Sequence, residues 1–131
     1  MALESKLIIE NRHYSLLECD YEFTQSVDIT GRPSDRPRGG VLRLTFVSPD
    51  DSDMRFHEWM KEKDLVKDGD IILTVNKNGE FAQKRIHFEN AYCIRLHEYF
   101  NDANALPMYT EISIMAESIK FGNNCTFKMI D

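Results

Sequence analysis

From Leu17 to Thr24 the chain alternates strictly: Leu17, Cys19, Tyr21 and Phe23 are separated by Glu18, Asp20, Glu22 and Thr24. A two-residue period predicts a strand with one dry face and one wet, acidic face. VLRLTFV (41–47) repeats the pattern with Leu42, Leu44 and Phe46 on the apolar side, and DIILTV (70–75) is a short apolar strand. Asn78-Gly79 then marks a tight hairpin turn. The longest pattern sets Ile86, Phe88, Tyr92, Ile94 and Leu96 on one parity, against His87, Glu89, Arg95 and His97 on the other. YTEISIMAESIKF (109–121) turns Ile112, Ile114 and Ala116 inward and changes phase near Ser118, which predicts a bulge or bend there. KLIIENRHYSLL (6–17) adds a further strand that turns near Asn11-Arg12.

One segment changes period. In SPDDSDMRFHEWMKEKD (48–64), Phe56, Trp59 and Met60 recur at helical spacing, behind Asp51, Ser52 or Asp53 as the N-cap. This predicts a helix of about three turns over residues 52–63, whose core stripe is Phe56, Trp59 and Met60. With 131 residues, no repeat and no linker, the chain forms a single domain over 1–131. The fold class is mainly β: a small barrel or sandwich of six to eight strands, closed by one short α-helix.

TGRPSDRPRGG (30–40) fits neither period. It sets Arg32, Arg36 and Arg38 against Asp35 in a chain of formal charge −6. Its prolines and glycines exclude helix and central strand. An extended basic loop over 29–40 is expected, stiffened by Pro33 and Pro37 so that docking costs little chain entropy. Arg32, Pro33, Ser34, Arg36 and Arg38 are the candidate subunit interface. Glu18, Asp20 and Glu22, or Asp50, Asp51 and Asp53, are candidate acidic partners. The plainer alternative is a solvated hairpin loop whose arginines meet only water.

Acidic residues outnumber basic ones 22 to 16, which argues against nucleic acid and anionic membranes as partners. Three cysteines without a close pair make neither a disulfide framework nor a zinc set. No apolar run approaches membrane-spanning length. The opening residues lack the basic and apolar regions of a secretory signal. His13, His57, His87 and His97 form no metal-binding pair; His87 and His97 share a strand face about 33 Å apart. Gly39-Gly40 precedes a strand instead of the helix of a phosphate loop, and no cysteine or serine has a nucleophile's setting. No metal and no cofactor is expected, and residue chemistry alone describes a protein that is not an enzyme.

Read as a whole, the chain resembles the Hcp (TssD) tube proteins of the type VI secretion system, in their short Bacteroidetes-type branch. The resemblance runs through YSLLECDYEFTQSVDITGRPS (14–34) with Gly39-Gly40, HEWM (57–60), KDGDIIL (67–73) and IHFENAYCIRLHEYF (86–100). It continues through Pro107-Met108 to ISIMAESIKFG (112–122). It implies a phage tail-tube-like β-barrel that assembles as a homohexameric ring. Such rings stack into a tube, expelled by a contractile sheath behind a spike protein, with small effectors carried in the lumen. It also implies a bacterial cytoplasmic protein exported by that machine without a signal peptide. Long strand edges that invite pairing with identical neighbours fit this picture. The alternative is a monomeric small-ligand-binding β-barrel.

Overall fold

Seven strands and one helix follow one another along the chain in the computed structural model, which describes residues 4–24, 27–32, 40–50, 52–103, 105 and 108–128. The elements are β1 (Lys6–Ile9), β2 (Arg12–Tyr21), β3 (Val41–Val47), α1 (Arg55–Lys61), β4 (Lys67–Lys77), β5 (Glu80–Phe100), β6 (Met108–Phe121) and β7 (Cys125–Lys128). The sheet order is β3-β2-β1-β4-β5-β6-β7, and β3 also pairs with β6. Six antiparallel strands therefore close into a barrel, with β7 an extra strand on β6. Because every pairing is antiparallel, the barrel has two distinct ends. A helical end holds the Glu10–Asn11 turn, α1 and the β5–β6 connection. A loop end holds the β2–β3 connection and the turns at Asn78-Gly79 and Gly122–Asn124.

Turn chemistry follows the sequence closely. Glu10 and Asn11 both have positive φ (51° and 65°), as do Asn78 and Gly79 (53° and 82°), the signature of the two-residue turn that suits strand twist. The first turn thus falls one residue before the expected Asn11-Arg12. Inside the barrel, Leu7, Ile9, Leu42, Leu44, Phe46, Ile71, Ile86, Phe88, Ile112, Ile114 and Ile119 are sealed from solvent. Gly69 marks the tightest approach of strand to side chain: a Cβ there would stand 2.5 Å from the Phe88 ring and 2.8 Å from the Ile8 carbonyl oxygen.

Strict alternation fails on β2, β5 and β6, and each failure changes which side chains face inward. On β2 the register with β3 shifts between Leu16 and Glu18. Tyr14 and Leu16 therefore point inward, Leu17 is 45% exposed, and Cys19, Tyr21 and Phe23 return to the core side; the inward position expected for Leu17 is overturned. On β5, Asn90 takes φ 51° where the register with β4 shifts. Inward positions move from Ile86 and Phe88 to Ala91 and Cys93, so Tyr92 and Ile94 face out, against the parity read from sequence. A second shift between Cys93 and Arg95 restores Leu96 to the core side. The phase change on β6 near Ser118 lies beside Asn90, whose side-chain amide donates to Glu117 at 2.8 Å and whose backbone N–H donates to Asp68 at 2.8 Å.

Helix α1 is shorter than the expected 52–63, running two turns from Arg55 to Lys61. Met54 occupies the N-cap position without a side-chain cap; Asp53, one residue earlier, accepts the Arg55 N–H of the first helical residue on one carboxylate oxygen and the Tyr14 hydroxyl on the other. Phe56 and Trp59 are 2% and 1% exposed and join Tyr14 and Phe46 in one aromatic cluster. The Trp59 indole N–H donates to the Ala91 carbonyl at 3.0 Å, so the helix plugs the barrel end and is tied to β5. Met60, expected in the same buried stripe, is instead 40% exposed. At 100° per residue it lies about 70° from the line between Phe56 and Trp59, and a two-turn helix buries only a narrow stripe.

Trp59→Ala removes the largest core side chain and one hydrogen bond together. Chemical denaturation should show a loss of about 3–5 kcal/mol, and an unchanged midpoint would mean that the helix does not plug the barrel.

Candidate assembly surfaces

At the loop end, the chain leaves β2 through an aromatic cluster. Phe23 stacks on Phe127 with ring centres 4.3 Å apart, and Tyr21 and Phe121 pack alongside. The Lys84 ammonium lies 5.9 Å and 5.5 Å from the Tyr21 and Phe121 ring centres. The connection then folds on Asp28. One carboxylate oxygen accepts from the Thr30 N–H (2.9 Å), the Thr30 hydroxyl (2.6 Å) and the Arg32 N–H (3.1 Å). The Asp28 N–H donates to the Arg32 carbonyl at 2.8 Å. Three donors on one oxygen favour the ionised form, and hydrogen bonds from the Thr30 hydroxyl and then the Arg32 amide hold Asp28 below the usual carboxylate range. This turn presents Ile29 fully to solvent, with Arg32 exposed beside it. Pro33, Ser34, Arg36 and Arg38 lie outside the described residues.

The helical end carries an acidic network. Asp53 is 6% exposed and accepts the Tyr14 hydroxyl at 2.6 Å and the Arg55 N–H at 3.1 Å, with the Arg55 guanidinium 3.6 Å away. Burial alone would raise its pKa, but the Tyr14 hydroxyl and Arg55 outweigh that and hold it low. Burial, with the Asp53 charge, pushes Tyr14 up to about 12. Glu10 receives Arg55 Nε at 3.2 Å and the Lys67 ammonium on its other oxygen. Asp53 is thus a structural acceptor, not an available partner for a basic loop. Asp50 is exposed and folds a turn by accepting the Ser52 N–H and hydroxyl at 3.0 and 2.5 Å. Between Arg12, Tyr14, Ser48, Pro49 and Asp50 lies an open depression of about 340 Å³.

Two further surfaces were not legible as sites in the sequence. One is an apolar strip on the outer wall, where Met115 of β6 sits between Tyr92 of β5 and Val41 of β3. Tyr92 and Met115 are each 39% exposed, and Ile94 is 46% exposed two residues along from Tyr92. Its signal was hidden in β5, where the bulge at Asn90 turns these side chains outward. The other is the β4–β5 hairpin, where Val75 and Phe81 are exposed. Beside the strip run polar rows with Asp20–Arg43 (3.8 Å) and Glu111–Arg95 (3.6 Å) ion pairs.

Two of the four histidines and two of the three cysteines are held by their surroundings. His57 bonds Glu98 at 2.6 Å, and His87 lies 3.0 Å from Asp70 and 3.5 Å from Glu89. Burial raises Cys93 to about 11, and burial with the Asp20 charge does the same for Cys19, so both are neutral thiols and poor nucleophiles. Among the described residues no group of three His, Cys, Asp or Glu side chains could hold a metal ion, and no helix is long and apolar enough to cross a membrane.

Residues 1–128 match the protein family described as Hemolysin coregulated protein Hcp (TssD). Hcp1 from Flavobacterium johnsoniae is 27% identical and superposes with a TM-score of 0.78, over 96% of this chain and 99% of that one. Hcp3, a secreted protein from Pseudomonas aeruginosa, shares 9% identity and the fold, with a TM-score of 0.65 over 99% of this chain and 100% of the other. The sheath–tube complex of an extracellular contractile injection system is similar in fold at 17% identity and a TM-score of 0.52, over 91% of this chain and 88% of that one. None of the curated proteins matches the chain in sequence.

Tyr14→Phe tests the buried network at the helical end. It leaves Asp53 short of a donor and should cost about 1–3 kcal/mol at neutral pH. A depressed carboxylate contributes stability above its unfolded pKa that is lost as pH falls through its folded pKa. The deficit of the variant, followed by denaturation across pH, should therefore shrink below the carboxylate range; a deficit that stays constant to pH 2 would place the cost outside the Asp53 bond.

Proposed function

The chain belongs to the Hcp (TssD) family of type VI secretion tube proteins, which are structural and not enzymes, and from that premise we propose that it forms hexameric rings that stack into the expelled tube and carry small effectors in the lumen. The observation that carries this reading is the family match across residues 1–128. The fold supports it physically. A closed barrel with two unlike ends can stack loop end on helical end indefinitely, since such a contact is heterologous and does not close on itself. The rival, a monomeric ligand-binding barrel, needs an apolar cavity, whereas the inward side chains here are buried against one another. The sheath, spike and effectors are then the partners. The bacterial cytoplasm is the site of synthesis, and export runs through the secretion machine.

In this proposal the basic loop over 29–40 joins adjacent rings. Arg32, Pro33, Ser34, Arg36 and Arg38 form the contact, and the arginines meet carboxylates on the neighbouring ring. The exposure of Asp50 at the opposite barrel end supports it as one such carboxylate; buried Asp53 is excluded. Each exposed pair is worth only about 0–1 kcal/mol, but six repeats per ring contact set register.

Light scattering should give a species near six times 15.3 kDa; a strict monomer at micromolar concentrations would end the ring reading. Reversing Arg36 and Arg38 to Glu should leave single rings intact in electron micrographs while stacks shorten, and added salt should shorten the parent's stacks likewise. Stacks as long as the parent's at every salt concentration would exclude the loop as an electrostatic connector.

A further inference from the structure

The β4–β5 hairpin outruns the barrel. β1 accompanies β4 only as far as Ile72, opposite Lys6, and β6 accompanies β5 only from Ile86, opposite Phe121. β4 and β5 nevertheless continue pairing with each other from Ile72↔Arg85 to Lys77↔Glu80. Beyond the contacts of Thr74 with Ser5 and Glu4 and of Arg85 with Gly122, the result is a two-stranded ribbon with no third strand among the described residues, and every residue from Val75 to Arg85 is exposed. Cross-strand partners share a face. Val75 and Ala82 therefore lie on one side of the ribbon, and Phe81, 55% exposed opposite Asn76, lies on the other. A free-standing two-stranded ribbon is marginally stable in water, and its edges invite association.

The chain carries a surface suited to receive it. The outer-wall strip of Val41, Tyr92, Ile94 and Met115 is apolar. The polar rows beside it carry Glu18, Asp20 and Glu111 against Arg43 and Arg95, while the ribbon carries Lys77 and Lys84 against Glu80. A surplus of positive charge on the ribbon thus faces a surplus of negative charge beside the strip, which favours this orientation of approach.

We propose that the β4–β5 ribbon of one copy lies across the Val41–Tyr92–Ile94–Met115 wall of a second copy of this chain, and that this is the lateral contact of the ring. The inference rests on the ring proposed above and assigns its two complementary surfaces. Because ribbon and wall are different surfaces of one chain, the contact is head-to-tail, and repetition closes it into a ring.

The test uses two variants of the full chain, Phe81→Glu on the ribbon and Ile94→Glu on the wall, with native mass spectrometry and light scattering. Each alone should fall from the parent's ring mass to 15.3 kDa. Mixed in equal amounts, they should give a dimer of one of each and nothing larger, since the mixture retains one intact ribbon facing one intact wall. That dimer also shows that both variants are folded; should Phe81→Glu fail to fold, Phe81→Ser takes its place in the same mixture. Rings that survive Phe81→Glu, or a mixture that stays monomeric, would overturn the ribbon contact while leaving the ring standing. A monomeric parent would overturn the ring itself and this contact with it.

Discussion

The pairing of β3 with β6 is the constraint from which the rest of the molecule follows. It joins the first strand of a sheet that otherwise runs from β3 to β7 to the last long one, matching Val41–Val47 residue for residue against Met115–Tyr109 and leaving β7 outside the closure. Closure removes the exposed edges of both strands and encloses the apolar side chains in one compartment. It also forces the long strands to bend around that compartment. The bulges at Leu17, Asn90 and Ile94 are where the bending is taken up, because an extra residue on one strand increases local twist and coiling.

Much of the fold was legible from local chemistry. The Asn78-Gly79 turn, the inward rows of β3 and the first half of β6, and the Phe56–Trp59 pair all follow from residue type and spacing within a few positions. What failed along the strands has one cause. Alternation tells which residues share a face only until a bulge intervenes, and a bulge is decided by how neighbouring strands must curve. Leu17, Tyr92 and Ile94 were assigned to the core for this reason, and each is on the outside.

The same limit governs the assembly surfaces. The basic loop stood out in the sequence because its composition departs from that of its flanks. The outer wall did not, because its apolar side chains look like core until Asn90 is known to reverse the phase of β5. Nor did the ribbon: β4 and β5 read as ordinary strands, and only the points where β1 and β6 stop show that they outrun those neighbours. Asp53 failed in the other direction. As a helix-start acceptor it does bind the Arg55 N–H, but Tyr14, distant in sequence, takes its other oxygen and withdraws it from any loop.

Trp59 is the chain's one tryptophan, and it is sealed inside the helical end with its indole N–H on the Ala91 carbonyl. Tyr92, by contrast, stands on the outer wall. Light emitted by the indole therefore reports whether the barrel is closed and is nearly blind to what docks outside it, while phenol absorbance includes a chromophore on the wall. Folding and association, which in most self-assembling chains are tangled in one signal, are separated here by colour.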